Sequence, residues 1–181
     1  MTLDLGTARG VDAKAFGKPG ERTFQLRVIG ATEEAAALWL EKQQLQALSL
    51  AFSQVLAQTG GEDTPATDLS FFPDPPDADV HVGRMAVGYD PADKTVVIQA
   101  HDLTSDEDGD PDILVRIRSV DVAQLSTRFK EIIAGGRPTC PLCGVPLDSA
   151  GHSCIRSNGH SERPVPRDRM EEEDDDDEAR G

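Results

Sequence analysis

Cysteine, aromatic residues and positive charge are all scarce in this chain of 181 residues. Three cysteines, an odd number, exclude a framework of paired disulfides around a small secreted fold and fit a reducing compartment. Aromatic residues make up 4% of the chain, with one Trp and one Tyr, so the core has to be built mainly from aliphatic side chains. Only 18 Lys and Arg stand against 33 Asp and Glu, a formal charge of −15; the run Glu171–Glu178 supplies eight of the negatives and leaves −7 elsewhere. Such a chain is repelled by a nucleic-acid backbone unless its few cations cluster. No stretch approaches the roughly 20 apolar residues that span a bilayer, and no basic start followed by an apolar run marks an export signal. The expectation is a cytoplasmic protein with one compact domain plus appendages.

What is scarce is also concentrated. Cys140-Pro-Leu-Cys143-Gly, continuing through His152-Ser-Cys154 to His160, holds all 3 cysteines and two of the 4 histidines within 21 residues. A C-x2-C pair followed by Gly forms a tight knuckle that aims two thiolates at one point, and two further donors close a tetrahedron. Five donors compete for four places. Cys140, Cys143, His152 and Cys154 use an H-x-C pair on one strand face, whereas Cys154 and His160 close a longer C-x5-H return. The first set is preferred, with His160 as substitute. A complete four-ligand shell makes the zinc structural, fixing a hairpin with few apolar residues of its own. A thioredoxin-type role for the same C-x-x-C needs a helix directly after it, and Gly144 and Pro146 oppose that.

Upstream, two periodicities alternate. Val11–Phe16 and Arg22–Ile29 flank the turn Gly17-Lys-Pro-Gly20, a hairpin pattern, and Ala35–Leu40 follows as a third strand, although its Ala and Leu content also suits a helix. Leu45, Leu48, Phe52, Val55 and Leu56 then mark one face of a helix over Gln43–Gln58. Thr59–Asp79, rich in Gly, Asp, Thr and Pro, reads as a linker, in which Phe71 and Phe72 either pack back on the core or mark a partner-binding patch. Strand patterns return at His81–Gly88, Lys94–Ala100 and Ile113–Val120. A second helix follows, capped by Ser119 or Asp121, with Val122, Leu125, Phe129, Ile132 and Ile133 on one face and Gly135-Gly136 as its stop. These five positions repeat the first helix's spacing at a constant offset of 77. The implied fold is α+β and two-layer: two βββα repeats in a pseudo-twofold relation, forming a mostly antiparallel sheet with two helices, plus the C-terminal zinc-ribbon-like hairpin. The duplicated body covers 11–136, with halves of about 11–58 and 80–136 around the linker 59–79. The zinc module covers 137–160, and 161–181 is an arginine-containing, then acidic, tail without a core-forming pattern.

No nucleophile elbow, phosphate loop or HExxH occurs. His81 and His101 stand alone in strand contexts, and Asp106–Asp112 lacks the Gly and Glu positions of a calcium loop and reads as a solvated acidic loop. Arg22, Glu41, Lys42 and Gln44 are the polar residues placed to line a candidate ligand surface near the first helix.

Four separated motifs carry a family resemblance. Phe16-Gly-Lys-Pro-Gly-Glu-Arg22-Thr-Phe24, Leu40-Glu-Lys-Gln-Gln44, Val82-Gly-Arg-Met-Ala-Val-Gly88 and the closing stretch from Cys140 to Gly159 resemble, in this order, the bacterial DUF3090 family, found mostly in actinobacteria. The resemblance runs from about residue 11 to 160. It implies no established activity. It does imply gene neighbours that include histidine-phosphatase-like and kinase-like proteins, and an aromatic residue where this chain has His160, which favours His152 as the ligand. The chain therefore reads as a non-catalytic, zinc-binding interaction or regulatory protein with a protein partner. An enzyme or small-ligand-binding protein with a site between the repeats is the alternative, and nucleic-acid binding through the zinc hairpin stands third.

Overall fold

In the computed structural model, residues 1–61, 64–106, 108–136, 140 and 142 are described. The chain divides into two compact units, Met1–Arg137 and Pro138–Gly181. Only Cys140 and Leu142 of the second unit lie among the described residues, so the account below concerns the first.

The first unit is α+β, with a seven-stranded, mostly antiparallel sheet and two helices. In chain order the elements are β1 (Leu3–Thr7), β2 (Gly10–Phe16), β3 (Thr23–Ile29), β4 (Ala35–Leu40), α1 (Lys42–Thr59), β5 (Ala78–Asp90), β6 (Thr95–Asp102), β7 (Ile113–Arg118) and α2 (Ser119–Ala134). The spatial order is β1-β7-β6-β5-β4-β3-β2. β2, β3 and β4 form an antiparallel meander, as do β5, β6 and β7, and β4 runs parallel to β5.

Register decides which residues become core. Ala13 faces Leu26, Leu26 faces Leu38, and Leu38 faces Val80 across four neighbouring strands. Val87, Ile98 and Val115 form the matching row in the second meander. Because side chains alternate across a strand, each row places its apolar members on one face. That face packs into one cluster with Leu45, Leu48 and Phe52 of α1 and Val122, Leu125 and Phe129 of α2. The rings of Phe52 and Phe129, fully buried, stack at 5.4 Å and hold the helices together. Burying each ring contributes about 1.5–3 kcal/mol.

β1 was not expected from the sequence, where apolar periodicity starts only at Val11. It has two apolar residues, of which Leu5 is 1% exposed, and its partner is the distant β7, with Leu3 opposite Ile113 in parallel register. Only Ala8 and Arg9 separate β1 from β2. The Ala8 N–H donates to Arg116 O of β7 at 2.8 Å, and the next N–H, of Arg9, donates to Ile29 O of β3 at 2.9 Å. One backbone segment thus joins both ends of the strand order, and the sheet curls upon itself. β5 is shared in the same way: its first residues pair with β4 and the remainder with β6.

Helix ends explain the boundaries. The Glu41 N–H donates to Gln44 Oε1 at 2.8 Å at the start of α1, and Gly60, with φ of 67°, closes its end in the left-handed conformation that glycine adopts without strain. α2 starts earlier than either expected cap, Ser119 or Asp121, implies. Arg118 occupies the cap position without a side-chain cap bond, while the Ser119 hydroxyl donates to Lys94 O at 2.8 Å. Gly135 and Gly136 stop it as expected, with N–H groups on Glu131 O and Ile133 O.

Candidate functional site

The sequence-derived metal donors Cys143, His152 and Cys154, with the substitute His160, lie outside the described residues; Cys140 lies inside them. Among the described residues, no group of three or more His, Cys, Asp or Glu side chains could hold a metal. The test of fit is therefore the donor chemistry alone. Three thiols and an imidazole around a C-x2-C knuckle suit tetrahedral Zn2+.

The candidate surface of Arg22, Glu41, Lys42 and Gln44 is largely committed to holding helices. The Gln44 amide bonds the Glu41 N–H through its oxygen and donates through Nε2 to Val82 O at 2.7 Å, tying α1 to β5. The Arg22 guanidinium donates to Ile132 O at 2.6 Å, satisfying a carbonyl in the last turn of α2 where a cation also suits the helix dipole, and it lies 5.6 Å from the Phe24 ring. Glu41 and Lys42 are exposed.

A different set of residues comes together on the sheet's other face. Cross-strand pairing places Lys14 opposite Gln25, Gln25 opposite Trp39, and Trp39 opposite His81. Phe16 and Arg27 share this face by alternation. The Trp39 and His81 rings stack at 5.9 Å with 12° between planes, and Phe16 tilts against Trp39 at 5.3 Å. The Arg27 guanidinium lies 5.6 Å from the Phe16 ring and 5.0 Å from that of Phe72, and donates to Gln25 Oε1 at 2.7 Å. The result is a continuous row, Phe72–Arg27–Phe16–Trp39–His81, spanning β2 to β5 and the segment before β5. The Trp39 indole N–H donates to Asp79 Oδ1 at 2.6 Å, which fixes its plane. Phe71, next to the row, is 73% exposed. Of the two readings of the phenylalanine pair, Phe72 packs back on the body, over Arg27 rather than into the core, and Phe71 does not.

Arg128 of α2 is the electrostatic hub at the border of this face. It pairs with Asp68, with Glu131 at 3.1 Å and with Asp12 at 3.5 Å. Asp12 is 2% exposed, and its Oδ1 also accepts the Ala13 N–H at 2.7 Å while Oδ2 has no hydrogen-bond partner. Burial pushes its carboxyl above the ordinary value of 3.8, against the pull of the Ala13 N–H and Arg128. On β5 and β6, Arg84 donates to His101 Nδ1 at 2.9 Å.

The acidic loop after β6 is stapled by its own carboxylates. The Thr104 hydroxyl and N–H hold Asp102 below the ordinary carboxylate value, and the Ser105 hydroxyl, with the Asp102 N–H, does the same for Asp112. An open cavity of about 420 Å³ lies beside the start of α2, lined by Thr59 and Thr64 from the first half and linker and by Tyr89, Lys94, Ser119 and Val120 from the second half. No sequence motif marked it.

These features define a class before they define a function: an α+β protein whose curled sheet carries its helices on one face and a row of aromatic and cationic side chains on the other. The family described as "Protein of unknown function (DUF3090)" matches residues 6–154, and the chain belongs to it. No curated protein matches the chain, and no solved structure does. No helix among the described residues is long and apolar enough to cross a membrane.

Proposed function

We propose that this chain is a non-catalytic interaction protein of the cytoplasm, in which a duplicated body presents an aromatic face to a protein partner and a zinc hairpin clamps the C-terminal segment. The observation that carries the reading is the row from Phe72 to His81, with Phe71 73% exposed beside it. Exposed aromatic rings flanked by arginine are the side chains that dominate protein–protein binding energies. The test is recovery of a partner from the native host by tagged wild-type protein and by a Trp39→Ala variant of unchanged fold. A discrete partner kept by the first and lost by the second supports the role. Equal recovery of the same proteins by both refutes it.

Two copies of a βββα unit, β2-β3-β4-α1 and β5-β6-β7-α2, make up the body in this proposal. Supporting it are the equal spacing of the helix faces, the corresponding apolar registers Leu26–Leu38 and Ile98–Val115, and the position of β1 on β7, which parallels that of the first residues of β5 on β4. For the clamp, Cys140, Cys143, His152 and Cys154 would hold the metal, and bound Zn2+ would crosslink the segment they lie on. Elemental analysis of protein purified without chelator is expected to find one zinc per chain, and to find it lost in Cys143→Ser. Zinc-free wild-type protein would remove the clamp from the proposal.

One observation favours a second reading, a small-ligand site between the two halves. The cavity beside α2 draws its lining from both halves, with Lys94 and Tyr89 among its polar groups. Its test is a ligand-induced rise in melting temperature that Lys94→Gly abolishes.

A further inference from the structure

The aromatic row does not end at the sheet. Among the described residues from Thr64 to Asp77 there is no helix or strand, and loops of this length without elements of their own are uncommon unless they bind or cover something. This one is strapped across the outer face at four points. Asp68 pairs with Arg128; Leu69 lies where a Cβ on Gly10 would come within 2.6 Å of it; the Phe72 ring lies 5.0 Å from Arg27; and Asp77 Oδ2 accepts the Ala35 N–H at 2.7 Å. Its central sequence is Phe71-Phe72-Pro73-Asp74-Pro75-Pro76-Asp77, which combines aromatic rings, prolines and acid.

The face it crosses offers a guanidinium and open rings to that composition. It carries two carboxylates, Asp12, which lies opposite Arg27 in register and pairs with Arg128, and Asp79, which holds the Trp39 indole; its cations are Lys14 and Arg27. Both lie on the same side of the sheet as Phe16, Trp39 and His81. Phe72 covers only the Arg27 end of the row, whereas Phe16 remains 37% exposed and His81 exposed beyond it. A ring stacked on guanidinium is attracted through its quadrupole, more strongly once the pair is desolvated. Proline fixes φ, so such a segment has less chain entropy to lose on docking.

We propose that the outer face of β2–β5 docks a peptide segment of a partner protein, carrying an aromatic residue followed by proline, and that the strap's own Phe71–Asp77 segment occupies one end of this site in cis. The strap is then a tethered competitor, and the partner's segment displaces it or continues the row past Phe16 to Trp39 and His81. This rests on the interaction reading above and names the partner's chemistry.

Trp39 is the only tryptophan in the chain and lies within the row, so its emission reports on this face alone. The probe is a synthetic peptide with the sequence of residues 67–77, titrated into full-length wild type and into a full-length Phe71→Ala/Phe72→Ala variant whose circular dichroism and melting temperature match wild type. The expected result is a saturable change in Trp39 emission in the variant, with affinity about 10-fold weaker in wild type because the cis strap competes, a difference equivalent to about 1.4 kcal/mol. Adding Arg27→Gln to the variant weakens binding by a similar factor, and a peptide with both phenylalanines replaced by alanine gives no response. No saturable response in the variant overturns the proposal, as does a stronger response to a single-stranded oligonucleotide than to the peptide. A wild-type dimer that Phe71→Ala dissolves overturns it in favour of self-association. Peptide binding without any partner in the native-host experiment refutes the interaction role and leaves the site standing; a Trp39-dependent partner without peptide binding refutes the site alone.

Discussion

The two halves of the body share a framework and differ in what they hang on it. In both, a three-strand meander sends its alternate residues inward and a helix lays an apolar stripe across them. Outside the core the correspondence ends. The first half supplies Phe16, Arg27 and Trp39 of the aromatic row, which His81 of the second half ends, and its helix start is closed by Glu41 and Gln44; the second carries Arg84 on His101, and its helix starts without a side-chain cap beside an open cavity. The features common to the two halves are those that bury area, and the features that differ lie outside the core.

The largest effects are expected at the centre of the body, where the two helices meet. Phe52→Ala and Phe129→Ala each remove a fully buried ring from the same stacked pair, so each is expected to cost about 3–5 kcal/mol in denaturant unfolding. Near-equal losses support equivalent helices; a loss in one half below a third of the other separates them. Gln44→Ala comes next. It removes the bond to the Glu41 N–H and the tether to Val82 O, which only α1 has, and is expected to cost about 1–2 kcal/mol by the same measurement.

The turns sharpen the contrast further. The β2–β3 turn places Gly17 and Gly20 at positive φ, whereas the β5–β6 turn holds Lys94 at φ of 53°. Lys94→Gly keeps the carbonyl that Ser119 uses, and is expected to raise stability by about 0.5–1 kcal/mol in the same unfolding assay. The smallest effect is a slope with pH. The carboxyl of Asp12 is raised in the fold, so the folded state holds that proton more tightly than the unfolded chain. The stability it contributes is present below 3.8 and lost as pH rises through the folded value. Asp102 and Asp112 behave oppositely. Theirs is present above 3.8 and lost as pH falls through their lowered values. Melting temperatures of wild type and Asp12→Asn, followed from neutral pH down to 3.8, are expected to converge as Asp12 protonates, and an unchanged gap contradicts the buried-carboxylate account.

Much of the framework was legible because each element writes its own period. Leu45, Leu48, Phe52, Val55 and Leu56 specify α1 to within a residue or two, and the alternation in Ile113–Arg118 marks β7. β1 was not legible, since Leu3 and Leu5 alone carry no period and their partner is far along the chain. The aromatic row was hidden for a related reason. Phe16, Arg27, Trp39, Phe72 and His81 come from four strands and the strap, and each in isolation is an ordinary residue on a solvent face. Only the register Lys14–Gln25–Trp39–His81 puts them in line. Arg22 and Gln44 were visible as polar residues near a helix, but sequence does not distinguish a side chain that meets a ligand from one that meets a helix end.

The seam at Ala8 and Arg9 bears on how the chain is made. On the ribosome, Leu3 and Leu5 are synthesised about 110 positions ahead of the strand that shelters them, while every later strand up to β4 finds a neighbour within a short hairpin. Non-local parallel pairing is slow because the intervening loop must close first. The hydrogen bonds of β1 to β7 can therefore form only after β7 has been made, and until then Leu5 has only the segment at Gly30 and Ala31, where its carbonyl accepts the Ala31 N–H, to pack on.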